Sequence, residues 1–182
     1  MKKRLIIVAS IIMATQLGSN VPVGAQSDMP MTDEHIQRIK QNCRSAMRTL
    51  QQLHVNDGPL RVNRGQAYDS VSTKLMAPLN SRLTANKLDA SSMVKITAQY
   101  DKTLTDFRES YKKYDNQMTS VLKINCVKQP VTFYDAVTLA RERRADVHNH
   151  VVRLHELIRE YGGQFSDFRT QFNTGNIKGE SE

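Results

Sequence analysis

The stretch Ser91–Val121, "SSMVKITAQYDKTLTDFRESYKKYDNQMTSV", decides how the chain is read. Met93, Ile96, Tyr100, Leu104, Phe107, Tyr111, Tyr114, Met118 and Val121 recur along it in steps of three and four. That period, close to 3.5 residues, keeps every apolar group on one side of an α-helix that packs against other helices. With "LDASS" as its cap, the spacing predicts a helix from about Ser91 to Thr119 or slightly beyond. At 1.5 Å per residue such a rod is roughly 45 Å long. It can bury its stripe only against partners of similar length.

The partners lie on either side. Upstream, a helix is expected from about Thr32 to His54, with Thr32 as N-cap and Asp33 and Glu34 at the positive end of its dipole. Its stripe is Ile36, Ile39, Cys43, Ala46, Leu50 and Leu53. "NDGP", Asn56 to Pro59, then reads as a tight turn. A second helix, about Leu60 to Lys87, carries Tyr68, Val71, Leu75, Leu79 and Leu83, with Pro78 inside it. Proline there removes a hydrogen bond and bends or breaks the rod, so a kinked helix or two shorter ones are expected. Downstream, a helix begins after Pro130, where Thr132 and Asp135 stand at capping-box spacing. Its seam is Val137, Ala140, Arg144, Val147, Val151, Leu154, Ile158 and Tyr161. The register survives Gly162 and Gly163 to reach Phe165, Phe168 and Phe172, so the last turns are expected to pack as well. Residues 173–182 read as a disordered tail.

The chain opens "MKKRLIIVASIIMATQLGSNVPVGAQSD", which has the layout of an export signal. Lys2, Lys3 and Arg4 precede an apolar run from Leu5 to Ala14, and Val23 and Ala25 place small residues for cleavage before Gln26. The run is well short of the roughly 20 residues that span a bilayer. Residues 1–25 are therefore expected to leave, and 26–172 to form a single domain. The mature part would keep 23 basic and 18 acidic side chains, a net charge of +5. Such an excess bears on association with anionic surfaces rather than on fold. The basic residues form no stripe, so nucleic-acid binding is not expected. An exported chain with two cysteines, Cys43 and Cys126, favours one disulfide between them. A simple up-down arrangement sets the two far apart in height, so "VLKINCVKQP" is expected to run back, extended, toward Cys43.

"DVHNHVVRLHELIREY" holds three histidines, His148, His150 and His155. Zinc needs ligating nitrogens within about 3–4 Å of one another, which on a helix means a spacing of three or four. His148 and His155 share a face but stand roughly 10 Å apart along the axis, and His150 lies on another face. Asp146 and His150 are four apart and could contribute only with ligands from elsewhere. These histidines read as flanks of a packed helix. No G-x-S-x-G elbow, phosphate-cradling glycine loop or H-E-x-x-H occurs. No Glu has a His three residues later, as di-iron bundles require.

The expectation is an all-α, elongated antiparallel bundle of three to four long amphipathic helices, kinked near Pro78 and stapled by Cys43–Cys126. The expected function is non-enzymatic, with no cofactor or metal. It is an exported structural or interaction module at the bacterial cell envelope or outside the cell, contacting a protein, an anionic envelope surface or a second copy through its seams. The alternative is a helical carrier or sensor that holds a small ligand or metal between helices, around the Pro78 kink, with Arg144 as the inward polar group.

Overall fold

The structure, a computed structural model, describes residues 31–175. The expected signal peptide, residues 1–25, and residues 176–182 of the expected tail lie outside the described residues. Among the described residues the chain is all α, with no strand and with Cys43 bonded to Cys126. The helices are α1 (Asp33–Ser70), a π-helical turn (Val71–Met76), α2 (Ala77–Ala85), α3 (Ser91–Val121) and α4 (Pro130–Asn173). The first three are continuous, so the chain forms three long rods.

The turn expected at Asn56–Pro59 does not form; α1 runs straight through Pro59. Local sequence favours a turn there, and proline inside a helix costs about 3 kcal/mol. Contacts from α3 override it. Tyr114 donates its hydroxyl to Asp57 at 2.7 Å, and the Arg61 guanidinium lies 4.9 Å from the centre of the Tyr111 ring. Gln52 also donates to the Asn56 side chain one turn on. At the other end of α1, Thr32 accepts from the His35 amide as the N-cap.

Pro78 does deform its rod, as a π turn immediately before it. In a straight α-helix the proline ring presses on the carbonyl four residues back; the wider turn relieves this and adds one residue to the local period. The Ala77 amide accordingly reaches the Ser72 carbonyl, five residues back. The added residue shifts the buried face. Leu75, expected in the seam, is 63% exposed, and Met76 takes its place at 2%. The buried positions become Tyr68, Ser72, Met76, Asn80 and Leu83.

Two hydroxyls steady the backbone around this turn. Tyr100 donates to the Tyr68 carbonyl at 3.0 Å, and Tyr161 reaches the Met76 carbonyl at 3.2 Å. Tyr161 donates more closely, at 2.8 Å, to Asn80 Oδ1. The Asn80 amide donates to Thr97, and Thr97 to the Met93 carbonyl, so one buried chain of hydrogen bonds joins α4, α2 and α3. Each member has a partner, which is the condition for a polar network to sit in a core without penalty.

α2 ends at Ala85 rather than Lys87, because Lys87 adopts a left-handed conformation (φ 57°) and the Leu88 amide turns back to the Leu83 carbonyl. α4 begins with Pro130 in its first turn, where no backbone N–H is needed. The capping box expected from Thr132 and Asp135 is absent, since both lie inside the helix.

α3 supplies the core. Eight of its nine seam residues are buried, and Ile96 is half-buried. Its first half packs with Tyr68, Met76 and Leu83 and with Leu154, Leu157 and Tyr161 of α4. Its second half packs with Cys126, Phe133 and Ala140, and against these lie half-buried residues of early α1. Phe133 and Leu157 were not expected as core. Beyond Gly162 and Gly163 α4 stays helical, but Phe165 and Phe172 are exposed and only Phe168 packs on the core.

The disulfide follows from how α3 runs back along α1. Thr97 meets Asn80, Asp101 meets Ser72, Tyr111 meets Arg61, Tyr114 meets Asp57 and Asp115 approaches His54. Continued in the same sense, the pairing brings Cys126 to Cys43, with 5.6 Å between Cα atoms. No extended return is needed: residues 122–129 form turns, and Asn125 accepts from the Val127 and Lys128 amides.

Two predictions follow from this packing. Met76→Ala should cost about 2–5 kcal/mol in denaturant unfolding, whereas Leu75→Ala should stay within about 0.5 kcal/mol. Equal costs would refute the shift of face. Reducing the disulfide, which closes 83 residues of separation, should lower stability by up to about 4–5 kcal/mol. Hydrogen exchange should then quicken first in Asp33–Asp57, where no residue is fully buried.

Candidate functional site

The residues singled out for chemistry are scattered. His148 is exposed and His150 half-buried, whereas His155 bonds through Nε2 to the Tyr68 hydroxyl at 3.1 Å. His155 is thus an interhelical contact. Among the described residues no three His, Cys, Asp or Glu side chains converge as a metal site would require. Cys43 is held in the disulfide and offers no thiolate. Arg144, expected on the seam, is exposed.

Arg144 nevertheless leads to an apolar hollow on the surface of the described residues. A groove of about 510 Å³ opens between the first half of α1 and the first half of α4. Ile39, Ala46, Leu50 and Leu53 of α1 form one wall. Phe133, Tyr134, Val137 and Ala140 of α4 form the other, and Tyr114 and Met118 of α3 lie at the floor. Asn42, Ser45 and Thr49 edge the α1 side, and Arg141 and Arg144 the α4 side. The α1 wall draws four residues from the apolar stripe of that helix. It stays half-buried because α1 and α4 are held apart here, with the Cys43–Cys126 bond tying α1 to the turn that leads into α4.

The charges on this lining are all of one sign. No Asp or Glu lines it, and among the described residues neither Arg141 nor Arg144 is paired with a carboxylate. Tyr114 spends its proton on Asp57. Burial pushes its hydroxyl pKa upward, the Asp57 bond and charge add to this, and the nearby Arg144 charge opposes it.

Two further hollows differ in character. One of about 650 Å³ lies over Arg61, Asp69 and Arg108, but Arg108 already pairs with Asp69 at 2.6 Å and Arg61 stacks on Tyr111. The hollow at Pro78, where a ligand was anticipated, is about 280 Å³ and lies among Lys74, Leu75, Arg82 and Phe165. The groove by Arg144 was out of reach of sequence reasoning, because it is a gap between rods; Arg144 on a seam was the one signal pointing to it.

No protein-family model matches the chain, and no match is found among curated proteins or solved structures. Among the described residues no helix is long and apolar enough to cross a membrane.

Five buried tyrosines make alkaline stability a sensitive readout of this interior. Burial is the leading cause that raises the hydroxyl pKa of Tyr68, Tyr100, Tyr111, Tyr114 and Tyr161 above its ordinary value. Above about pH 10 the unfolded chain loses these protons while the folded one keeps them, so folding stability must fall as pH rises. Absorbance at the phenolate band should show fewer ionised tyrosines in the native protein at about pH 10.5 than in denaturant, with a falling unfolding midpoint. An unchanged midpoint between pH 9 and 11 would contradict the burial.

Proposed function

We propose that the three rods form one elongated antiparallel bundle that is exported and acts, without catalysis, as an interaction module at the bacterial cell envelope or outside the cell. The observation that carries this reading is the disulfide joining distant parts of the chain, because such bonds persist in oxidising compartments. The amino-terminal pattern of Lys2 to Arg4, an apolar run and Ala25 agrees with it. The half-open stripe of α1 offers the apolar surface that a protein partner, or a second copy, would cover. The mature charge of +5 suits an anionic surface.

A second reading, a carrier that holds a small ligand between helices, is favoured by a specific feature. The groove has apolar walls and, at its edge, two arginines that among the described residues have no carboxylate partner.

The exported protein should begin at Gln26 by amino-terminal sequencing and show no free thiol without reductant. It should sediment with envelope fractions at low salt and be released near 0.5 M salt, where screening is nearly complete over a few ångströms. A mature chain that still carries Met1 would remove this reading, and one that never associates with the envelope at any ionic strength would leave only its released, extracellular form. Scattering in solution should give a maximum dimension of at least about 66 Å, the length of a 44-residue helix.

A further inference from the structure

We infer that the groove between α1 and α4 binds a single-chain amphiphilic anion, a long-chain carboxylate, with its chain on the apolar walls and its head group at Arg141 and Arg144. The inference rests on the carrier reading and names its ligand class.

Charge complementarity carries it. The lining offers apolar side chains from two rods and only positive charge, so neither a fully apolar ligand nor a cation satisfies it. Arg141 and Arg144 stand three residues apart on α4, which places them as neighbours on one face. Guanidinium groups present forked donors that match a carboxylate's two oxygens. Leu50, Leu53 and Val137 line the same hollow and supply the surface a hydrocarbon chain would cover.

Size selects among occupants. The groove's volume of about 510 Å³ falls within the roughly 300–1,000 Å³ of small-molecule sites. A flexible single chain can follow a groove of this size.

The test uses the oxidised, full-length mature protein and calorimetric titration with decanoate, dodecanoate and tetradecanoate below their micelle concentrations. Saturable binding of one carboxylate per chain is expected, tightening by about fourfold per added methylene until the groove is filled. Arg141→Gln with Arg144→Gln should weaken carboxylate binding by about tenfold or more, and should leave the affinity for the matching alcohol unchanged. Both arginines are exposed, so this variant should keep the parent's unfolding midpoint, and Leu50→Ser should weaken acid and alcohol together. The inference fails if no carboxylate binds at millimolar concentration, if dodecylammonium binds equally, or if the double variant binds carboxylate as the parent does. It also fails if only anionic vesicles bind and the monomers do not. Failure on any of these counts, with envelope association intact, leaves the interaction-module reading standing. Carboxylate binding by a chain that in the cell still carries Met1 would overturn that reading alone.

Discussion

The apolar seam of α3 is the surface to which both other rods must fit. Met93 to Val121 are buried or nearly so, and each half of the seam serves a different neighbourhood. Its first half meets the π turn, α2 and late α4; its second half meets the cysteine turn and early α4. Large residues dominate it, and burying each removes substantial apolar area from water. Polar rungs on the flanks, such as Thr97–Asn80 and Tyr114–Asp57, fix the register that the apolar contacts alone would leave free to slide.

Fitting the first rod to that seam explains its irregularities. A stripe that advances by fours drifts around an ideal helix of 3.6 residues per turn. The π turn at Val71–Met76 absorbs the drift, and Pro78 sets where it falls. Upstream, α1 stays helical through Pro59 because α3 grips both Asp57 and Arg61. The cost of a proline inside the helix is offset by contacts far away in sequence. Where α1 extends past the densest part of α3, the disulfide holds it. The same arrangement leaves its stripe facing a gap, the groove beside Arg144.

Much of this was legible from residue spacing. Eight of the nine α3 seam residues are buried as the spacing predicted, with Ile96 half-buried, and Cys43 and Cys126 pair. The cysteine geometry looked strained only because α1 was expected to stop near His54; with α1 continuous, the pairing with α3 simply continues to the bond. The advance by fours through Leu75, Leu79 and Leu83 marked a turning face near Pro78, but not that Met76 takes the place of Leu75. Phe165 and Phe172 kept the helical period yet stay exposed, which shows that period reports helix formation and not burial.

The amino-acid sequence by itself determined that the chain is helical, which face of α3 is buried and which two cysteines join. Periodicity, capping and composition are properties of single segments, so they can be read without knowing what lies alongside. Tertiary structure alone decided that α1 passes through Asn56–Pro59, that the buried face shifts at Met76 and that a groove opens beside Arg144. Those features depend on the phase and separation of rods far apart in the chain, and such distances are set only when all three pack together.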